Sequence, residues 1–454
     1  MNTGDPFLAD AIREAFHYQN RFAGSTMVFK IDFPVTEDPA FPLLMRDLAL
    51  LAKTGFRIVI VPGAKEWIDA VLREYGIVSS YVGAKRLTTA AALPFVEMAA
   101  FHVATRFITG LSADRVDAVI GNFIRARGLG VLQGIDMEHT GRVDKVFAES
   151  ITRILQFGMV PILPCIGWSP AGRPYNVSSD EIALEVSAAL GAIKLFILSV
   201  HEGIQSTRYR IPEPALAGTD GRVLRLTPQE AAAVLALAGG SAETDQAGAD
   251  KPLADLRLAL RASRAGVERA HLIDVRQGGA VLRELFSNLG AGVMVYADEY
   301  ESIRPLKRPD IPDVLRLMEP LMRRGALLRR DSADIQEKKD DYAVFVIDGS
   351  VHACAALHDW GEGQGEIAAL ATDPAFADLG LGRRMVRYCI EQGIQRGLRR
   401  VFVLTTQTHD WFEALGFTER PVESLPERKR NAYDRNRKSK VFALELPDMR
   451  RTDS

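Results

Sequence analysis

The chain has 454 residues, 47 % hydrophobic and 25 % charged, with a formal net charge of −2. That make-up is an ordinary globular protein of two or three domains, and it excludes a polyelectrolyte that binds nucleic acid or a membrane surface by bulk charge. Three scattered cysteines, Cys165, Cys354 and Cys389, without CxxC or Cys/His spacing, argue against a structural zinc site and fit a reducing compartment. The N-terminus has no basic-then-apolar leader, and no apolar run approaches the roughly 18 residues that span a bilayer. The expected location is the cytoplasm, with no membrane, nucleic-acid or metal partner.

In chain order, residues 26–31 read as a strand, 42–54 as a helix and 56–61 as a buried strand. Helices are predicted over 65–75 and 90–111, a strand over 118–124, a helix over 148–157 and a strand over 160–165. Residues 179–190 predict a helix and 192–200 a strand. Then come helices over 227–237 and 256–265, a strand over 271–275, a helix over 280–289 and a strand over 292–296. Continuous apolar strands alternating with helices predict a mostly parallel sheet covered on both faces. Residues 239–251, rich in Gly, Ala, Ser and Asp, predict a flexible loop.

The polar stretch 297–302 (ADEYES) marks a boundary, after which the pattern changes. Helices are predicted over 311–324 and 331–338, and strands over 342–347 and 351–359 form a hairpin turning at Asp348-Gly349. A strand over 365–371, a helix from Arg383, a strand over 400–405, a helix over 410–415 and a strand over 440–446 complete an α+β domain.

Residues 372–383 (TDPAFADLGLGR) join a strand to a helix through a glycine-bearing loop. That order aims the free N–H groups of a helix N-terminus at one spot, which suits a pyrophosphate. Gly380 and Gly382 let an anion approach the main chain. The order of elements resembles the GNAT acetyltransferase family, whose acyl-CoA loop reads Gln/Arg-x-x-Gly-x-Gly/Ala. Residues 377–382 match both glycines but lack the basic or amide residue in first place. The resemblance implies acetyl-CoA as co-substrate, held by Leu370, Ala371, Thr372, Asp378, Leu379, Gly380, Leu381, Gly382 and Arg383.

Residues 411–417 (WFEALGF) are similar to the family's late segment, with Phe412 in place of a tyrosine that protonates the leaving thiolate. Phenylalanine has no proton to give. The acid is then another group, a water, or nothing, since a thiol's reference pKa is about 8.5. The incoming ammonium must lose a proton before it attacks a thioester, and Glu366 is the candidate base; the other reading of Glu366 is an exposed strand residue. A backbone N–H near Leu370 is the candidate donor to the thioester oxygen.

Residues 427–440 (ERKRNAYDRNRKSK) carry seven positive charges in the thirteen positions from Arg428. They form either a solvated basic face or a set of guanidiniums that clasp carboxylates, of which an acidic amino acid has two. Arg329-Arg330 is a second basic pair facing the same task.

The first domain is similar to the amino acid kinase family, on Gly121-Asn122-Phe123, residues 175–180 (YNVSSD), 266–274 (GVERAHLID) and 284–292 (ELFSNLGAG). Where such kinases place bare glycines around phosphates, this chain has Lys30-Ile31-Asp32-Phe33 and Pro62-Gly63-Ala64-Lys65. An aspartate there repels phosphate, so the domain reads as kinase-dead. A kinase-like domain joined to a GNAT domain resembles the bacterial N-acetylglutamate synthase family, most specifically over residues 401–412, 425–427 and 437–441. That resemblance implies acetyl transfer to the α-amino group of L-glutamate in arginine biosynthesis. It puts carboxylate binding at Arg329, Arg428, Arg437 and Ser439. It implies L-arginine as effector at His271, Glu284 and Gly290, and a helix over 11–22 that pairs subunits into a homo-oligomeric ring, a hexamer. His271 reads equally as a packed core histidine, and Tyr18 and Phe22, four apart, as core residues.

The expected organisation is an α/β amino acid kinase-like domain (1–297), a linker (298–302), an α+β GNAT N-acetyltransferase domain (303–447) and a disordered tail (448–454). Two alternatives stay open: acetylation of another acidic amine, and a non-catalytic arginine sensor.

Overall fold

Runs such as Arg57–Pro62 (RIVIVP), buried at every position after the first, have no polar face and can form only an interior strand. In the computed structural model, which describes residues 16, 18, 19, 22–212, 221–239, 250–286, 291–296, 301–374, 376 and 380–447, these runs build an eight-stranded sheet. Its order is Arg225–Leu226, Val293–Tyr296, Arg269–Asp274, Lys194–Ser199, Thr26–Ile31, Arg57–Pro62, Val160–Ile162, Ala118–Ile120. Neighbours run parallel except Val293–Tyr296 against Arg269–Asp274. Alternation along Thr26–Ile31 sends Met27, Phe29 and Ile31 into one core, with helices Phe41–Lys53 and Leu93–Ala113. It sends Val28 into the other, with helices Ser179–Ala189 and Lys251–Arg264.

The expected strand 118–124 divides. Ile120 ends one strand, and Ile124–Gly128 joins a separate four-stranded sheet with Gly141–Val146, Ile166–Trp168 and Pro174–Asn176. Gly121 makes the break: a Cβ there would lie 2.6 Å from Phe123 Cζ, so the ring folds back over bare backbone. The helix expected from 256 starts earlier, at Lys251, with Pro252 in its first turn, where a missing N–H costs nothing. The rest of the expected loop 239–251, from 240 to 249, lies outside the described residues, as do the end of the helix 280–289 and most of the helix 11–22. Within the latter, Tyr18 and Phe22 are buried and stacked, ring centroids 6.0 Å apart.

Asp47 sits on the inner side of helix Phe41–Lys53, 7 % exposed. Burial raises its pKa to about 6, from 3.8. The folded state then keeps a proton that the unfolded chain loses, so stability falls as pH rises from about 4 through 6. Asp47→Asn should remove that slope and, with solvent near the carboxyl, add about 1 kcal/mol at pH 7.5. Thermal unfolding followed across pH 4–8 checks it; an unchanged slope would contradict it.

A second compact unit begins at Glu299. Its seven-stranded sheet has the order Glu301–Pro305, Tyr342–Ile347, Ser350–Asp359, Gln364–Thr372, Arg400–Thr405, Lys440–Glu445, Thr418–Arg420. Glu301 and Ser302, expected in the linker, are strand instead, paired with Ile347 and Val346, because the open edge of Tyr342–Ile347 offers them a ladder. Residues 298–300 and the tail 448–454 lie outside the described residues. Asp348 and Gly349 turn the hairpin with φ of 49° and 84°, both left-handed, as a two-residue turn between twisted strands requires. Helices Ile311–Arg323 and Leu381–Gln395 pack on this sheet. All three cysteines are buried and free, and burial pushes their pKa up, to about 11 for Cys165 and about 12 for Cys354 and Cys389. Among the described residues no helix is long and apolar enough to cross a membrane.

Candidate active site

Two irregularities in Gln364–Thr372 build the site. It pairs with Arg400–Thr405, the one parallel neighbour in its sheet, over Gln364↔Arg400, Gly365↔Val401 and Glu366↔Phe402, and the pairing ends there. The strands part beyond that point, and Glu366 stands at the fork. On the other edge Ala356 faces Ala368 and Cys354 faces Ala371, so Ala369 and Leu370 together oppose Ala355. Ala369 has φ 53°, and its carbonyl accepts a hydrogen bond from Cys354 Sγ at 3.4 Å. An alanine held left-handed costs about 1–2 kcal/mol, and such bulges commonly re-aim a strand beside a functional site. Leu370, Ala371 and Thr372 follow, on the edge that has lost its parallel partner.

The glycine loop ends at Gly380, with φ 65° and ψ 22°, directly before helix Leu381–Gln395. Nothing lies within 4 Å of where its Cβ would be, so backbone conformation, not crowding, demands glycine there. A Cβ on Gly382 would touch Trp411 Cζ2 at 3.5 Å and Thr372 Cγ2 at 3.7 Å, so the fold brings Gly382 against Thr372. Leu381 is buried and Arg383 exposed; Asp378 and Leu379 lie outside the described residues. Phe412 is buried, edge-on to Trp411 and Phe417 at 4.9 and 5.6 Å, and serves as packing beneath this wall.

Glu366 is 6 % exposed, not the exposed strand residue of the alternative reading. Lys429 Nζ donates to its Oε1 at 2.8 Å and Oε2 at 2.7 Å, and Trp360 Nε1 donates to Oε2 at 2.8 Å. The Lys429 ammonium also stands 4.6 Å from the Trp360 ring centre. Lys429 comes from the five-residue helix Glu427–Asn431, whose neighbours Arg428 and Arg430 are exposed while Lys429 is buried. Counting charges along 427–440 could not single it out; only its burial does.

Of the expected carboxylate ligands, Arg437 is half-buried and donates through Nη2 to the carbonyls of Ala326 and, at 3.3 Å, Gly325. That ties the basic segment to the turn after helix Ile311–Arg323, three residues before Arg329, which is exposed. Ser439 is buried, its carbonyl accepting from Tyr433 Oη at 2.5 Å. Arg428 is exposed beside Lys429.

In the first unit His271 Nδ1 and Glu284 Oε1 lie 2.6 Å apart. Glu284 Oε2 accepts the backbone N–H groups of Ala291 and, at 3.0 Å, Gly292; Gly290 lies outside the described residues. Burial would raise the Glu284 pKa, but His271 and the two N–H groups outweigh it and bring it down to about 2. Burial lowers the His271 pKa against the pull of Glu284. The pair is therefore a neutral imidazole donating from Nδ1 to a carboxylate, which leaves Nε2, buried and without a partner among the described residues, as an acceptor. His271 also stacks on Phe196, centroids 4.8 Å apart.

A second group lies on the Val28 side of the same sheet. Lys30, 1 % exposed, pairs with Asp32 and, at 2.8 Å, with Asp180. Lys251 pairs with Asp32 at 2.8 Å and with Asp255, and His201 Nε2 meets Asp255 at 2.9 Å. Burial works against the Lys30 ammonium, yet Asp180 and Asp32 outweigh it and raise its pKa. Lys251 and Asp255 escaped the sequence reading because both were placed in or near a loop.

Residues 34–214 match the amino acid kinase family and residues 311–417 the acetyltransferase (GNAT) family. The chain is 31 % identical over 97 % of its length to an amino-acid acetyltransferase of Pseudomonas putida, and equally to one of Vibrio cholerae, covering 100 % and 98 % of those proteins. Its fold is similar, with a TM-score of 0.79 and 30 % identity over 97 % of the chain and all of the other, to N-acetylglutamate synthase from Neisseria gonorrhoeae in complex with coenzyme A and L-arginine. The same synthase with coenzyme A and N-acetyl-glutamate matches with a TM-score of 0.59, over 98 % of the chain and 100 % of the other. With an amino acid kinase-like unit followed by a GNAT unit, the chain belongs to the amino-acid acetyltransferase family, that of the N-acetylglutamate synthases.

Proposed function

We propose that the chain moves the acetyl group of acetyl-CoA to the α-amino group of L-glutamate, in arginine biosynthesis, and that L-arginine regulates it through the first unit. The observation that carries this reading is the end-to-end likeness to a synthase crystallised with coenzyme A and N-acetyl-glutamate. In this reading the coenzyme's diphosphate meets the N-terminus of Leu381–Gln395 past Gly380, and its acyl arm lies along the unpaired edge of residues 370–372. The glutamate ammonium passes one proton to Glu366, directly or through water. The freed nitrogen attacks the thioester carbon; the C–N bond forms, the C–S bond breaks, and the second proton leaves with the thiolate. Phe412 gives nothing to that step, and with a reference thiol pKa of about 8.5 the thiolate needs no dedicated acid.

Arg329, Arg428, Arg437 and Ser439 hold the two carboxylates. Arg437→Ala should raise the glutamate KM by the loss of a charged contact of roughly 2–4 kcal/mol, with the acetyl-CoA KM nearly unchanged. Steady-state kinetics with each substrate varied in turn checks this; equal losses for both would contradict the assignment.

The first unit transfers no phosphate in this reading, because Asp32 puts its carboxylate between Lys30 and Lys251, where a phosphate would have to sit. It serves regulation and assembly instead, as a hexameric ring paired through residues 11–22. His271 Nε2, without a partner among the described residues, and the Glu284 carboxylate suit a guanidinium, which has only donors. The test is product formation from acetyl-CoA and glutamate, read by mass spectrometry, with and without arginine. Product with aspartate but not glutamate would overturn the acceptor, and a rate indifferent to saturating arginine would overturn the effector.

A further inference from the structure

A buried ion pair adds little to stability; an apolar pair of the same size does as well or better. The chain nevertheless places one on its candidate base. Among the described residues Lys429 Nζ donates only to the two oxygens of Glu366, and the ammonium also stands over the Trp360 ring. Trp360 in turn gives its N–H to Glu366 Oε2. A carboxylate offers about four acceptor sites. Among the described residues three are filled, two on Oε2 and one on Oε1, and the site left open is on Oε1. The three side chains come from a strand, the loop before it and a helix more than sixty residues later, so the arrangement is tertiary and specific.

We propose that Lys429, with Trp360, is a positioning residue for acetyl transfer: together they lock the Glu366 carboxylate at the strand fork so that one lone pair of Oε1, and no other, faces the incoming amine. The inference rests on the acetyltransferase reading given above. The lysine touches neither substrate; it acts by fixing where and in which direction Glu366 accepts a proton. Preorganisation of this kind is felt in turnover and not in ground-state binding.

The experiment is a kcat-against-KM comparison of the full-length chain with L-glutamate and acetyl-CoA. Lys429→Met should lower kcat by about 10- to 100-fold, within what a misplaced general base loses, and leave both KM values within about threefold. Lys429→Arg, which restores a cation able to grip both oxygens, should recover most of the loss. In a Glu366→Gln background Lys429→Met should cost nothing more, because the two residues act as one unit. Trp360→Phe keeps the ring under the lysine and drops the N–H; it should lower kcat several-fold with KM unchanged, and it decides the matter if Lys429→Met does not fold.

Wild-type kcat in Lys429→Met or in Trp360→Phe would overturn the proposal, and so would losses that multiply in the double variant. A lowered glutamate KM with kcat intact would also overturn it, making the lysine a competitor for the amine's place. A wild-type chain that forms no N-acetylglutamate would overturn the acceptor reading itself, a result distinct from an active wild type with an equally active Lys429→Met.

Discussion

Glu366→Gln should reduce kcat by about 10²- to 10⁴-fold, the range a positioned proton acceptor supplies, while the acetyl-CoA KM stays near the wild-type value. The side chain keeps its length, so the fork between Gln364–Thr372 and Arg400–Thr405 is not disturbed. What changes is chemistry. An amide cannot take the proton of an ammonium, and its NH₂ cannot accept from Trp360 and Lys429, as the carboxylate does. One arm of the amide must face a donor with a donor, and the Lys429 ammonium loses its counter-charge inside the fold. A loss of stability is therefore expected beside the loss of rate, and the two are separated by assaying well below the unfolding temperature. The proposed coenzyme site, at the loop ending in Gly380 and along residues 370–372, is left alone by this substitution. A variant that keeps turnover within a few-fold of wild type would mean that the amine sheds its proton to solvent by another route, and Glu366 would be a structural anchor.

Much of this architecture was legible in the chain. The hairpin at Asp348-Gly349 was readable because left-handed φ at two successive residues leaves few other choices, and the strands 26–31, 342–347 and 400–405 because short runs rich in β-branched and aromatic residues favour a strand. Short half-exposed strands were not: Ile124–Gly128 and Gly141–Val146 are five and six residues long with few large apolar side chains, and Gly121 had to be seen under the Phe123 ring to be understood as a break. At the candidate site, Glu366, Gly380 and Arg437 were named from chemistry or resemblance. Lys429 did not, because it is one lysine in a basic run and its difference from Arg428 is burial, a property of the folded surface. Trp360 was missed because its partner Lys429 is far along the chain, and Lys251 and Asp255 because they were read as lying in or near a loop. Pairing between residues sixty or two hundred positions apart leaves no local trace in the sequence.

Lys30→Met should destabilise the first unit by about 3–5 kcal/mol, the cost of leaving a buried charge without its partner. Lys30 lies on the central strand Thr26–Ile31, in register with Ile197 and Val61, so it cannot swing out to water without breaking ladder pairs on both sides. Its loss leaves Asp180 facing Asp32 with Lys251 as the remaining cation, and Lys251 is already shared with Asp255. Burial pushes the Asp32 pKa up, and Lys251 with Lys30 overcomes it; with one lysine gone, the carboxylates must take up protons or spread apart. Urea unfolding at pH 7.5 reads the loss directly. Lys30→Met/Asp180→Asn, which removes charge from both sides, should recover most of it, since a buried pair replaced as a whole costs little. The same strands carry the stack Phe29–Phe196–His271, with centroids 4.7 and 4.8 Å apart, so the charge group sits one residue along from the candidate effector histidine. A kinase would need those lysines free for phosphate. If Lys30→Met unfolds at the wild-type urea concentration, the lysine is not tied up in a structural network, and the reading of the first unit as a filled and silent phosphate site loses its physical basis.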